Sequence, residues 1–107
     1  MRVDFTQVLV DLDGQDIEVD AAEGAKEKLT LERVAVSALL QGNGREQQTG
    51  EDKYKRFKLM KQIHGATEPV EMPTEDVSLV KKAIGESGYT ALVTGQSWDM
   101  IEHGKAE

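Results

Sequence analysis

Apolar residues recur at a single helical period in the most hydrophobic stretch of the chain, at positions 31–39. Their spacing of i, i+3, i+4, i+7 and i+8 places them along one face of a helix. Thr30 before this stripe can accept a hydrogen bond from a first-turn N–H group, and the Gly-Asn-Gly run at 42–44 tolerates the left-handed backbone of a helix end. The pattern predicts a central helix over residues 30–41, on which the later segments pack. Its core-facing residues are Leu31, Val34, Ala35, Ala38 and Leu39.

Near the N-terminus, apolar and polar residues alternate on both sides of an Asp-Gly pair at 13–14. Alternation is typical of half-buried strands, and Asp-Gly favours the positive φ angles of a tight hairpin turn. The sequence therefore predicts a β-hairpin within residues 1–20. A short helical turn is the alternative, because Phe5, Val8 and Leu9 also share a helical face. Residues 20–28 have almost no large apolar side chain and are expected to form an exposed connection.

Three further helices are predicted, at 51–64, 74–84 and 90–103. The second helix of the chain is expected to face the core through an approximate apolar stripe of Tyr54, Phe57, Met60 and Ile63. Both prolines lie between this helix and the next, so that connection should be extended, and Thr74 is predicted to cap the helix after it. The chain is thus expected to be a single domain over 1–107, mainly α (α+β), with a short N-terminal hairpin and about four packed helices.

The net charge of −7 is unevenly distributed along the chain. Residues 1–30 contain eight acidic and three basic residues, a net charge of −5. This acidic front end is either a solvated surface or a patch that binds a basic partner. Its candidate interaction residues are Asp11, Asp13, Asp16, Glu18 and Asp20. An acidic chain of this kind is not expected to bind nucleic acid directly, because such binding depends on neutralising phosphates with Lys and Arg.

The helix at 51–64 is the one basic element, with five Lys or Arg residues against Glu51 and Asp52. It is either a solvated face, a docking surface for an acidic protein that includes Lys55 and Arg56, or an intramolecular counterpart of the acidic front end. Trp98 is expected in the core, although lone tryptophans are also common anchors of protein interfaces. These residues predict a protein partner, and the composition is also compatible with a homo-oligomer.

Motifs of catalysis and of cofactor binding are missing from the sequence. Residues 11–22 resemble a calcium loop only superficially, because Asp16 replaces the required glycine and Ala22 the bidentate glutamate. His64 and His103 each precede a glycine at a predicted helix end, which helix capping explains. The last two helices could be read as a helix-turn-helix, but the segment that would read DNA, 89–103, contains no Arg or Lys. A non-enzymatic protein without metal or cofactor is expected.

The apolar runs are too short to cross a bilayer, and Asp4 interrupts the N-terminus where a signal peptide requires an apolar core. The chain also contains no cysteine, so disulfides cannot form. These features predict a cytoplasmic location in which the protein does not associate with membranes.

Three stretches together resemble small proteins encoded by tailed bacteriophages and prophages. They are VDFTQVLVDLDGQ at the start, LTLERVAVSALL in the centre and TEDVSLVKKAIGESGYTALVTGQSWDMIE at the end, whereas 20–28 and 43–50 depart from that pattern. The resemblance implies a phage origin and a role in virion assembly, in the tail or head, with no active site to carry over. The alternative function is an acidic inhibitor that imitates nucleic-acid charge and binds a host protein.

Overall fold

The computed structural model describes residues 2–20, 24–41 and 49–103, apart from the side chain of the last residue. The strands are β1 (Arg2–Val3), β2 (Glu18–Asp20), β3 (Lys26–Lys28) and β4 (Val70–Glu71). The helices are α1 (Leu31–Gln41), α2 (Gly50–Ile63), α3 (Thr74–Glu86) and α4 (Ala91–His103). The predicted class, mainly α with a small N-terminal hairpin and packed helices, is confirmed.

Threonine side chains mark the starts of three of the four helices, as their hydroxyls can accept first-turn N–H groups. Thr30 accepts from the Arg33 N–H at 3.2 Å, Thr49 from the Asp52 N–H at 3.1 Å and Thr90 from the Val93 N–H at 3.4 Å. The prediction for α3 is wrong, because Thr74 is its first helical residue and Pro73 precedes it without a side-chain cap. Proline suits this position since its backbone has no N–H group to satisfy and its φ is fixed near the helical value. The predicted helix end at 42–44 lies outside the described residues.

The Asp-Gly turn forms as predicted, with Gly14 at φ +84° and the Asp11 N–H donating to the Gln15 carbonyl at 2.8 Å. Val10 and Asp16, on the two sides of this turn, form a single antiparallel bridge. The regular hairpin lies further along, where β2 pairs with β3. The expectation of an exposed connection over 20–28 is therefore wrong in part, because this stretch contains β3. Alternation could not reveal that strand, since all three of its residues are charged and exposed.

Three N-terminal segments are joined by a closed ring of backbone hydrogen bonds. The Leu9 N–H donates to the Leu29 carbonyl, the Leu29 N–H to the Ile17 carbonyl, and the Ile17 N–H to the Leu9 carbonyl, at 2.8–3.0 Å. Leu9 and Leu29 are buried. The ring satisfies polar backbone groups at positions whose side chains enter the core, where an unpaired group would be costly. It therefore fixes the N-terminal segments against the helices.

The same N-terminal segment satisfies the start of α1. The N–H groups of Leu31 and Glu32 have no acceptor within the helix, and they donate to the Gln7 and Phe5 carbonyls, both at 2.9 Å. The predicted inner face of α1 is confirmed, since its five residues are at most 2% exposed. α1 packs against α2, α3 and α4, so it is the central helix. β1 pairs with β4, which lies in the extended connection that contains both prolines.

The predicted apolar stripe of α2 is wrong in its first two members. Tyr54 and Phe57 are exposed, whereas Arg56, Leu59 and Ile63 are buried. The predicted residues are spaced by three, and each such step lags 60° behind a full turn of 3.6 residues per turn. A stripe of this spacing spirals around the helix, so its two ends cannot both face one core.

Gln96 joins α4 to the N-terminal segment through both groups of its side-chain amide. Its Oε1 accepts from the Val10 N–H at 3.0 Å, and its Nε2 donates to the Val10 carbonyl. The amide thus bonds to both the N–H and the carbonyl of Val10, as the backbone of a neighbouring strand would. These two bonds connect positions that are 86 residues apart in sequence.

The substitution Gln96→Ala should lower the free energy of unfolding by about 1–2 kcal/mol, because it leaves two partly buried backbone groups of Val10 without their partner. Gln62→Ala is the control, since Gln62 makes one exposed bond to the Glu71 carbonyl at 3.3 Å, and its loss should be about 0.5 kcal/mol or less. Urea unfolding followed by circular dichroism measures both. Equal losses of unfolding free energy in the two variants would show that the Gln96 amide does not join α4 to Val10 as described.

The substitution Ser97→Ala should raise the free energy of unfolding by about 1 kcal/mol. Ser97 is fully buried, and its Oγ has no hydrogen-bond partner within the described residues. Ser87→Ala should instead lower the free energy of unfolding, because the Ser87 hydroxyl donates to the Ile84 carbonyl at 2.7 Å at the end of α3. Thermal and urea unfolding of both variants test this pair, and a loss of stability in Ser97→Ala would show that the hydroxyl has a partner.

Candidate functional site

Exposed aromatic rings are the most unusual surface feature of the described residues. The chain has only five aromatic residues, and three of them are exposed. Tyr54 is 61% exposed, Phe57 is 49% exposed and Trp98 is 38% exposed, whereas Phe5 is buried. Aromatic rings contribute a large apolar area when they are buried, so neighbouring exposed rings are typical of binding surfaces.

Two of these rings form one exposed face of α2, here called the α2 ridge, which consists of Tyr54, Phe57, Lys58 and Lys61. The spacing of i, i+3, i+4 and i+7 aligns the four side chains along the helix. The two ring centroids are 6.5 Å apart with an interplanar angle of 24°. The Lys58 Nζ lies 5.1 Å from the Tyr54 centroid and the Lys61 Nζ lies 5.4 Å from the Phe57 centroid.

The opposite face of α2 has the same spacing, displaced by two residues. Arg56, Leu59, Met60 and Ile63 follow i, i+3, i+4 and i+7, and a displacement of two residues rotates the face by about 200°. This face packs on α1, so the α2 ridge points outward. The helix therefore presents a core face and an aromatic face in opposite directions.

Arg56 lies on the core face and does not belong to the exposed basic surface expected from the sequence. It is 8% exposed, and its Nη1 donates to the Leu39 carbonyl at 3.4 Å. That carbonyl lies in the last turn of α1, where backbone acceptors have no helical donor and a cation is favourable. Arg56 thus stabilises the end of the central helix. Lys55 is exposed, on the flank of α2.

No carboxylate of the described residues neutralises the lysines of the α2 ridge. Within the described part of the chain, no carboxylate lies at ion-pair distance from Lys58 or Lys61, and their closest identified neighbours are the two rings. Nor does any described ion pair join α2 to the acidic front end, so its role as an intramolecular counterpart is not observed. Each ring contact of an exposed ammonium contributes only about 0.5–1 kcal/mol, which leaves the charge available.

The acidic front end is divided between structural and exposed carboxylates. Asp11 shapes the turn, because its Oδ1 accepts from the Asp13 N–H at 2.8 Å and the Gln15 N–H at 3.0 Å. Asp16 forms an ion pair with Lys28 at 3.0 Å, and Asp20 forms one with Lys26. Among the described residues, this leaves Asp13 and Glu18 as the candidate acids with neither an ion pair nor a role in shaping the turn. Strand alternation does place Asp16, Glu18 and Asp20 on one exposed side.

Trp98 is not in the core, which corrects the expectation from the sequence. Its ring lies in an open cleft of about 450 Å³ between α3 and α4. The indole Nε1 donates to the Lys81 carbonyl at 3.1 Å, and the Lys81 Nζ lies 4.7 Å from the ring centroid. That ammonium also forms an ion pair with Glu102. The cleft is lined by Ser78, Lys81, Lys82, Gly85, Glu86 and Trp98.

Gly85 allows the tryptophan ring to lie directly on α3. A Cβ atom at this position would be 3.1 Å from the Trp98 Cζ2, closer than ordinary van der Waals contact. The absence of a side chain at 85 therefore sets the position of a ring thirteen residues further along. A sequence pattern cannot show this, because an isolated glycine within a helix usually indicates only a weak helix former.

A second cleft, of about 480 Å³, lies between β3, α1 and the end of α2. Its charged side chains have partners in the protein, and Lys28 is the one paired with Asp16. Arg33 forms an ion pair with Glu27 at 2.5 Å, and Glu32 accepts from the Gly65 N–H. The cleft is lined by Glu27, Lys28, Thr30, Glu32, Arg33, Val36, Ser37 and His64.

Neither a metal site nor a membrane segment is found in the part of the chain that the structure describes. No three His, Asp or Glu side chains of these residues converge as metal ligands would. No described helix combines the length and the apolar character that are needed to cross a bilayer.

No known family matches the sequence, and comparisons with curated proteins and with solved structures give no significant match. The resemblance to phage proteins, the function and the partner therefore remain predictions.

The substitution Gly85→Ala should shift the fluorescence emission of Trp98 to longer wavelengths, because the new Cβ displaces the ring outward from Lys81. The free energy of unfolding should change by less than about 1 kcal/mol, since alanine favours the helix by about that amount and offsets the lost contacts. Trp98 is the sole tryptophan, so the emission reports on this cleft alone.

Gly95→Ala is the matched control for this experiment. Gly95 also lies within a helix, and a Cβ there meets no atom within 4 Å. It should raise stability by up to about 1 kcal/mol through helix propensity alone, without shifting the emission. An unchanged emission in Gly85→Ala would show that the ring does not rest on the glycine.

Proposed function

We propose that this protein is non-enzymatic and acts by protein–protein contact through the α2 ridge, in the assembly of a phage virion, in the tail or the head. The observation that carries the proposal is the pair of stacked, exposed rings with lysines over them, on the side of α2 that faces away from the core. Aromatic residues are enriched at the energetic centres of interfaces.

The rings can supply most of the binding free energy. An aromatic side chain buries 150–250 Å² when fully covered, so covering the exposed half of each ring is worth about 2 kcal/mol at about 25 cal/mol per Å². An exposed ion pair contributes only about 0.2–1 kcal/mol. We therefore assign affinity to Tyr54 and Phe57, and orientation and rate of association to Lys58 and Lys61.

The assignment to virion assembly rests on the resemblance of the three sequence stretches to phage proteins. A small protein with an outward-facing aromatic helix suits a role that requires contact with a structural protein. The Trp98 cleft is separated from the α2 ridge by the central helix, because α1 packs between α2 and the pair α3 and α4. It offers a second aromatic surface on another side of the protein.

The alternative function, imitation of nucleic-acid charge, is supported less well by the geometry. A mimic requires an array of exposed carboxylates, whereas two of the five candidate acids are paired with lysines of β3 and a third shapes the turn. The double substitution D13N/E18Q would remove the remaining acids without placing a like charge opposite Lys28, which lies across from Glu18 in the strand pair. A charge mimic should lose its host partner in this variant, and an assembly protein should keep its virion partner.

The double substitution Y54A/F57A should abolish capture of virion structural proteins in an affinity pull-down from phage-producing cells. Loss of about 4 kcal/mol of ring burial corresponds to a decrease in affinity of more than about a hundredfold. Capture by the unmodified protein should persist at low and moderate salt, because ring burial is insensitive to screening. Mass spectrometry identifies the captured proteins.

Leu12→Ala is the control variant, since Leu12 is 90% exposed and lies in the N-terminal turn, away from α2. It removes an exposed apolar side chain and should leave capture unchanged. Recovery of a host nucleic-acid-binding protein at low salt only, with no effect of Y54A/F57A, would contradict the proposed function and favour the acidic inhibitor.

A further inference from the structure

We infer that the segment that binds the α2 ridge is acidic and apolar, a short stretch of a partner protein with carboxylates beside hydrophobic side chains. This inference rests on the proposed function and defines the chemistry of its partner. It follows from a comparison of the two places in this protein where a lysine lies over an exposed ring.

The Trp98 cleft contains a complete arrangement of three groups. The Lys81 ammonium lies over the ring, and the Glu102 carboxylate forms an ion pair with the same ammonium. The carboxylate neutralises the ammonium, and the face of the ring lies against another side of the same ammonium. Each group of the three satisfies the one next to it.

The α2 ridge contains a lysine over a ring twice, in both cases without a carboxylate from the described residues. Lys58 lies over Tyr54 and Lys61 lies over Phe57, and no described carboxylate reaches either ammonium. An ammonium has three donors, and the ring face occupies only one side of it. A partner carboxylate at each lysine would complete both sites in the way that Glu102 completes the site at Lys81.

The exposed rings require the partner to be apolar as well as acidic. The four residues of the ridge extend over eight helical positions, or about 10 Å along the helix axis. A partner segment of about two helical turns, or of three to four extended residues, matches this length. Its carboxylates would face Lys58 and Lys61 while its apolar side chains cover the two rings.

The test measures binding of a fluorescein-labelled peptide of repeated Glu-Glu-Leu-Leu units by fluorescence anisotropy, because this repeat places both Glu and Leu on each face of an extended segment. Two control peptides have Lys in place of Glu, or Ser in place of Leu. The full-length protein should bind the Glu-Leu peptide at least about tenfold more tightly than either control, because only that peptide satisfies both lysines and rings. Its affinity should fall as salt rises, because the ion pairs are exposed to solvent.

Charge reversals locate the contact. K58E/K61E should weaken binding of the peptide at least about tenfold, and K61E alone about threefold. K82E is the matched control, since Lys82 is an exposed lysine near the end of α3 that lines the other cleft. It should change the affinity less than about twofold. The emission of Trp98 should stay unchanged on binding, because the peptide binds on another helix.

Besides failure of the peptide to bind, three results would overturn the inference. They are equal binding by K58E/K61E and the unmodified protein, a peptide-induced shift of the Trp98 emission, or dimerisation in sedimentation equilibrium that Y54A/F57A abolishes. The last result would show that a second copy of the chain covers the ridge. If the peptide fails to bind while Y54A/F57A still abolishes capture of virion proteins, the partner chemistry is wrong and the proposed function stands.

Discussion

Burial of α1 is the constraint on which the other elements depend. Its inner face is at most 2% exposed, and three helices pack around it. The two ends of the helix are satisfied by other parts of the chain. The Phe5 and Gln7 carbonyls accept from its first N–H groups, and Arg56 of α2 donates to the Leu39 carbonyl in its last turn. Arg56, Leu59 and Ile63 are buried on the side of α2 that packs on α1, so the opposite side, with Tyr54, is directed outward.

The sequence was sufficient to predict α1 because one contiguous stripe of Leu, Val and Ala leaves a single choice of inner face. α2 is different, since two faces follow the same spacing with a displacement of two residues. One contains an arginine among apolar residues and the other contains two aromatics among lysines. Hydrophobicity favours the first of these faces as the inner one. The stripe predicted from the sequence combined Tyr54 and Phe57 of the outer face with Met60 and Ile63 of the inner one, and its first two members are exposed. Burial of Leu59 and Ile63 and the hydrogen bond from Arg56 to the Leu39 carbonyl place this face against α1.

Contacts between residues far apart in the sequence account for the other differences between the predicted and the observed structure. β3 is entirely charged, so its strand depends on partners in β2 and on the backbone ring through Leu29 rather than on its own pattern. The core expectation for Trp98 follows from residue type, whereas its position is set by Gly85 and by the Lys81 carbonyl on another helix. The acidic side of β2 was predictable from alternation. The ion pairs of Asp16 and Asp20 with lysines of β3 were not, since predicting them requires the strand pairing to be known.

The central claim is that the outward face of α2 contacts a structural protein of the virion. The most direct measurement places a photo-crosslinking phenylalanine derivative at position 57 and, in a second variant, at position 12, and irradiates phage-producing cells. Both positions are exposed, so the two variants differ only in the surface that they sample. We expect an adduct with a virion structural protein from position 57 and none from position 12. Adducts that form from position 12 and not from position 57 would contradict the claim.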